Sequence, residues 1–184
     1  MARQLHRVTA SFIRPADNTA YTAGDEISSN ATAGSVVLPT FNVAGFRRVS
    51  IKRASLDVTP ASGNTVVTAF AVSLLVFKTA DAPTPVGDNV TAPIQGTSRN
   101  KAAKFAFLAA VWTAPDGSSG AGASGFNEVL PAVPTVNGNL LEFTGSEANG
   151  EVRTLTAYLQ VTDAWTPLGV ANTFNIWLDL ELEP

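Results

Sequence analysis

Near the end of the chain, apolar and polar residues alternate. Phe174, Ile176, Leu178, Leu180 and Leu182 fall on one side, and Asn175, Trp177, Asp179, Glu181 and Glu183 on the other. That is the two-residue period of a half-buried strand. The segment before it repeats the pattern, with Leu155, Ala157, Leu159 and Val161 opposed by Thr154, Thr156, Tyr158 and Gln160. Thr166, Pro167, Leu168 and Gly169 between them form a breaker-rich connection, so the two strands are expected to close the chain as an antiparallel pair. An isolated hairpin is marginal in water, and the rest of the chain must supply a second sheet or a helix to cover the Phe/Ile/Leu face.

Earlier segments extend the series. Leu5 to Arg14 alternates with His6, Val8, Ala10 and Phe12 on one parity, and Pro15 ends it because proline cannot donate to a ladder. Pro15, Asp17-Asn18 and Gly24-Asp25 then predict turns, before Ile27 restarts an extended segment. Val36 to Phe41 is a short candidate strand broken by Pro39. Gly45 to Val58 is a longer one, with Val49 and Ile51 opposed by Arg48, Ser50 and Lys52. Thr65 to Thr79 is apolar on both parities; its length with Ala69 and Ala71 allows a helix, but its many valines favour a central strand buried on both faces. Ala80 to Gly96 reads as a long proline-bearing loop, and Lys104 to Trp112 as a strand or a short helix. Ala114 to Phe126 is a glycine-serine run with no bulky side chain to bury, expected to be a flexible loop. Leu140 to Thr144 is a short strand followed by a turn.

About eight strands, breaker-rich connections and no fixed-period repeat describe one all-β domain over residues 1–184. The architecture expected is a β-sandwich, jelly-roll-like, with antiparallel strands and a short N-terminal arm at 1–7. At 184 residues such a domain buries about 70% of its unfolded surface and needs no staple. The chain has no cysteine, which removes disulfides, thiolate catalysis and cysteine metal sites and suits a reducing compartment. Met1 is followed by Ala2, Arg3 and Gln4 with no apolar leader and no span-length run, so synthesis in a cytoplasm and no membrane partner are expected.

Charge is uneven. Residues 1–53 carry seven basic residues (Arg3, Arg7, Arg14, Arg47, Arg48, Lys52, Arg53) against three acids, and residues 126–184 carry Arg153 against eight. Either the two ends meet different charged partners, or folding brings them together and mixes the charges. The acidic pI near 5.1, with no basic cluster interleaved with aromatics, argues against nucleic acid.

Candidate chemistry is sparse. His6 shares the parity of Val8 and Phe12 and has no partners for a triad or a metal. The glycine-serine run does not meet the G-x-S-x-G spacing of a nucleophile elbow. Asp17 with Asp25, and Asp81 with Asp88, lack the dense acidic spacing of a calcium loop and read as turn residues. No enzyme and no cofactor are expected.

Four stretches together resemble a group of small structural proteins of tailed bacteriophages. They are Arg14 to Ile27 (RPADNTAYTAGDEI), the segment ending Ile51 to Leu56 (IKRASL), Leu75-Val76-Phe77 leading through Pro83 and Pro85 to Asp88-Asn89, and Leu159 to Pro167 (LQVTDAWTP). The run Ala114 to Gly125 departs from the resemblance. A virion component is implied, with decoration or cementing of the capsid exterior as the expected role. The partner would be the major capsid protein, and the chain itself a homo-oligomer, a trimer favoured. Arg3, Arg7, Arg47, Arg48, Lys52 and Arg53 are the candidate capsid contacts. The alternative is a tail-associated or receptor- or carbohydrate-binding sandwich, with Tyr158, Trp165 and Trp177 as a stacking platform.

Overall fold

A computed structural model describes residues 5–60, 70–92, 94, 103–108, 140–143, 152–167 and 169–183. Its strands are β1 (Leu5–Arg14), β2 (Glu26–Ile27), β3 (Thr40–Asn42), β4 (Arg48–Pro60), β5 (Val72–Lys78), β6 (Ala103–Phe107), β7 (Leu140–Glu142), β8 (Thr154–Val161) and β9 (Asn172–Glu183). The glycine-serine run 114–126 lies outside the described residues, as do residues 1–4, 61–69 and 109–112.

The pairing is that of one long antiparallel ribbon folded double and rolled up. β1 pairs with β9, β2 and β3 with β8, β4 with β7, and β5 with β6. Rolling then lays β9 against β4 and β8 against β5. Two sheets result, in the orders β1-β9-β4-β7 and β2-β8-β5-β6, with β3 also on β8. With β2 and β3 taken as two pieces of one interrupted strand, this is the strand order of a jelly roll.

The expected hairpin between the last two strands is therefore corrected. β8 and β9 stand in opposite sheets. Both edges of β9 are taken by β1 and β4, and both edges of β8 by β5 and by β2 with β3. The breaker-rich connection crosses between sheets instead of turning within one. It is held at Trp165, whose backbone exchanges two hydrogen bonds with Tyr21, at 2.7 and 3.2 Å. Sequence neighbours then face each other across the core, so the apolar parities of both strands bury against one another.

β4 shows how the alternation is kept in register. Val49 and Ile51 point inward, and so do Ala54, Leu56 and Val58, a change of parity within one strand. A bulge at Lys52 absorbs it, because Ile51 lies opposite Leu180 while Arg53 lies opposite Asp179. One extra residue lets both Lys52 and Arg53 escape the core.

β5 is buried on both faces, as its composition predicts. Leu74 and Val76 belong to the main core, whereas Leu75 and Phe77 form a second cluster with Tyr158, Ala92 and Ile94. The covering segment is the loop after β5, held in place by a close backbone approach. Gly87 has φ +110°, and a Cβ there would lie 2.5 Å from the Ala31 carbonyl oxygen. Glycine alone fits. The covered face also corrects the expectation for β8, since Thr156, Tyr158 and Gln160 are buried although they form its polar parity.

Candidate functional site

The two outer surfaces of the sandwich differ, and the candidate residues divide between them. The outer face of the β1-β9-β4-β7 sheet carries charge in cross-strand rows, with Arg7, Arg48 and Lys52 exposed and Ser55, Asp57 and Glu181 buried. In the register, Asp179 on β9 lies between Arg7 on β1 and Arg53 on β4. Arg7 Nε and Nη2 donate to the two carboxylate oxygens at 2.7 and 3.1 Å, and Arg53 Nε stands 3.9 Å away. The Arg7 hydrogen bond holds the Asp179 carboxyl below its ordinary range. Lys52 Nζ reaches Glu181 at 2.7 Å from the bulge. Arg48 meets Glu142 at 3.1 Å and Glu183 at 3.8 Å.

The basic first third of the chain and its acidic last third thus meet on one face. Of the candidate contacts, Arg7, Arg48, Lys52 and Arg53 are gathered there and paired within the chain. Arg47 is exposed at the sheet margin, where its backbone N–H donates to the Glu183 carbonyl at 2.9 Å. Arg3 lies outside the described residues. Leu5 to Arg7, counted with the N-terminal arm, are the first residues of β1.

The stacking platform does not assemble. Trp165 is 4% exposed and stacks on Phe70 at 4.2 Å and on Tyr21 at 5.1 Å. Tyr158 is 1% exposed, on the other sheet, with its hydroxyl donating to the Pro83 carbonyl. Trp177 is half-buried on the charged face, between Thr9 and Ser55 in the register. Three aromatics on different surfaces cannot stack on one ligand.

Beneath the covered side sits a polar cluster that reading by residue type overlooked. Arg14 shares the inward parity of Phe12 and is fully buried. Its Nε donates to the Tyr21 hydroxyl at 2.6 Å, and that hydroxyl donates to Asp88 Oδ2, also at 2.6 Å. Nη1 and Nη2 satisfy the Pro15 and Asp17 carbonyls, and Nη2 also meets the Asp17 carboxylate at 2.8 Å. Asp88 Oδ1 accepts from the Ser28 amide at 2.9 Å. Burial pushes the carboxyl of Asp88 up, and burial with the neighbouring Asp88 charge pushes the Tyr21 hydroxyl up. Every member is matched to another, so the cluster joins β1, the loop after it and the loop after β5. The RPADNTAYTAGD run is in this sense architectural. Its legible signal was Arg14 on the apolar parity of β1.

Glu26 on β2 is fully buried nearby. Its Oε2 accepts from the Val86 amide at 3.1 Å, and its Oε1 has no hydrogen-bond partner among the described residues. Burial raises its carboxyl from 4.5 to about 7. Asp25 and Asp81, the other aspartates weighed as metal ligands beside Asp17 and Asp88, have partners within the chain. Asp25 accepts from Thr22 and Thr91, and Asp81 pairs with Lys78 at 3.2 Å. Among the described residues no group of three or more His, Cys, Asp or Glu is placed to hold a metal ion.

One open groove of about 500 Å³ lies on the covered side, between 36–40 and 79–85. Of its lining hydroxyls, Thr79 Oγ1 lies 2.7 Å from Thr156 Oγ1 and accepts from Thr154 at 2.7 Å. The Tyr158 hydroxyl is spent on Pro83. A specific polar ligand needs convergent groups that are available to it, and these three hydroxyls are committed elsewhere.

No protein-family model matches the sequence, and no curated protein does. Among solved structures the chain is similar to the cryo-EM structure of the giant freshwater prawn Macrobrachium rosenbergii nodavirus semi-empty VLP. There the identity is 13%, the TM-score 0.36, and the coverage 100% of this chain and 94% of that one. It is also similar to turnip yellow mosaic virus at 100 K, with 11% identity, a TM-score of 0.29, and coverage of 98% of this chain and 95% of that one. Both scores fall short of a shared topology. The fold assignment therefore rests on the strand pairing above.

Proposed function

We propose that the chain is a non-enzymatic structural protein of a virion, a decoration protein that binds the outer surface of a phage capsid and stabilises it. The observation that carries this reading is the charged outer face of the β1-β9-β4-β7 sheet. It is rich in both signs of charge, and has its basic residues held in cross-strand rows by Asp179, Glu181, Glu142 and Glu183. A large, complementary, pocketless surface is what a shell-binding protein requires. The rows are preformed, and each exposed pair is weak enough to exchange for a partner's charge. The partner is the major capsid protein. The resemblance of the Arg14 to Ile27 run to tailed-phage structural proteins supports the same reading.

Arg47 provides a clean test, because it is exposed and its side chain belongs to none of the rows. Arg47→Glu is expected to weaken binding to purified phage heads by roughly fivefold to tenfold while leaving the melting temperature unchanged. Undiminished head binding by this variant would remove the charged margin from the interface. Reconstruction of intact particles with density for this chain confined to the tail would overturn the capsid reading itself.

A further inference from the structure

The outer edge of β1 carries an inference that does not depend on what the protein decorates. β1 is ten residues long and ends its sheet, with β9 on one side and no described strand on the other. Its two arginines do not guard it, because Arg7 is drawn to Asp179 and Arg14 to Tyr21 and Asp17 within the chain. It contains no proline and no bulge, and its pairing with β9 runs unbroken from Leu5 to Arg14. Such an edge is a template for another strand.

Its side chains say which strand fits. On the outward face lie Leu5, Arg7, Thr9, Ser11 and Ile13, with apolar Leu5 and Ile13 exposed by 64% and 58%. They sit at equal distances on either side of Thr9. An antiparallel copy related by a two-fold axis at Thr9 therefore sets Leu5 against the second copy's Ile13, and Ile13 against its Leu5. Arg7 then faces Ser11, and Thr9 faces itself. On the inward face Val8 meets Ala10 and His6 meets Phe12. His6, Val8 and Ala10 are only partly buried, although they share the inward parity of Phe12, and a second strand would cover them.

The neighbouring registers are worse. Because side chains alternate between faces, register can slip only in steps that keep the faces matched. A slip one way puts Ile13 against Arg7, a slip the other way breaks the Leu5/Ile13 match by setting Leu5 against Ser11, and a second slip in that direction puts Arg7 against Arg7, a like-charge pair that destabilises. We propose that this chain forms a two-fold dimer by antiparallel pairing of β1 with β1 of a second copy, centred on Thr9. An isologous contact of this kind closes at two copies, where the sequence reading favoured three.

Light scattering on the full chain, coupled to size exclusion, tests this. The expected mass is twice the 19.1 kDa of one chain. Thr9→Lys and Thr9→Glu are surface changes that leave the core intact, and their thermal melts check the fold. Each is expected to run at the monomer mass at concentrations where the unsubstituted chain is dimeric, and an equimolar mixture of the two to recover the dimer. The chain has no cysteine of its own, so Thr9→Cys gives an unambiguous second readout. Paired residues on antiparallel strands stand about 4.5–5.5 Å apart at Cα, within disulfide reach. Mild oxidation is expected to cross-link Thr9→Cys and to spare Ser11→Cys. A chain that stays monomeric at every concentration, a trimer, or a dimer indifferent to both Thr9 charge variants would overturn the proposal. Capture of another protein's strand by a monomeric chain would overturn it too.

Discussion

The two outer faces of this sandwich solve one problem in opposite ways. Each sheet has a side turned from the core. On the β1-β9-β4-β7 sheet that side is furnished with cross-strand ion pairs, Arg48 with Glu142 exposed at both ends and Arg7 with Asp179 exposed at the arginine. On the other sheet it is roofed by loops, with Tyr158, Phe77 and Ile94 in a small second core and the Arg14, Tyr21 and Asp88 cluster at its margin. Arg48, Glu142 and Glu183 on the charged face keep their water and contribute little. Charges under the roof have lost theirs, and removing a single partner leaves the others buried without compensation. The roofed side is therefore where the fold is vulnerable, and the exposed pairs of the charged side are where the surface is open to change.

The largest effect is expected at Arg14. Arg14→Met keeps the volume and the apolar stem but strands Asp88 and the Tyr21 hydroxyl. Urea unfolding should show a loss of about 3–5 kcal/mol. A loss below about 1 kcal/mol would mean that water replaces the guanidinium and that the roof is not closed over this cluster.

Next comes Glu26. Its folded carboxyl titrates near 7 and its unfolded one near 4.5, so in that interval the folded state holds a proton that the unfolded state has released. Stability then falls as pH rises from about 4.5 to about 7 and is flat above. Between pH 5 and pH 8 the loss should be about 2–3 kcal/mol, with the raised Asp88 adding in the same sense. Glu26→Gln should remove most of the slope. Asp179 works in the opposite direction, because its lowered carboxyl gives up stability only as pH falls below about 4. Maximum stability at mildly acid pH follows, and an unchanged slope in Glu26→Gln would place the titration elsewhere.

How far the sequence foretold this depends on the range of the interaction. β1 and β9 were legible from alternation alone, since a half-buried strand writes its two faces into its own residues. The bulge in β4 was written there too, as the switch from Val49 and Ile51 to Ala54, Leu56 and Val58. What was not legible depended on distant segments. Nothing in Thr156, Tyr158 and Gln160 announces a roof made by residues more than sixty positions away, and nothing local tells β8 to refuse β9. The ion-pair rows lay between these cases. A basic beginning and an acidic end were plain, but their meeting required β9 to lie between β1 and β4. Arg14 was half legible, because its place on the apolar parity of β1 marks it as buried while its partners Tyr21 and Asp88 cannot be named from that strand.

The smallest effect is expected on the charged face, and its size decides how that face can be used. Asp179 receives two hydrogen bonds from Arg7, whose side chain is 52% exposed. Exposed pairs of this kind are worth about 0.2–1 kcal/mol. Asp179→Asn should therefore lower stability by no more than about 1 kcal/mol at low salt, and by less as the ionic strength passes about 0.1 M and screening sets in. Arg53→Gln, removing the partner at 3.9 Å, should change less still. A small, salt-sensitive loss means that Arg7 and Arg53 can leave Asp179 for a carboxylate on another surface at little cost, as a docking face requires. A loss as large as that at Arg14 would make the row part of the scaffold, because charges that hold the sheet together cannot also be lent to a partner.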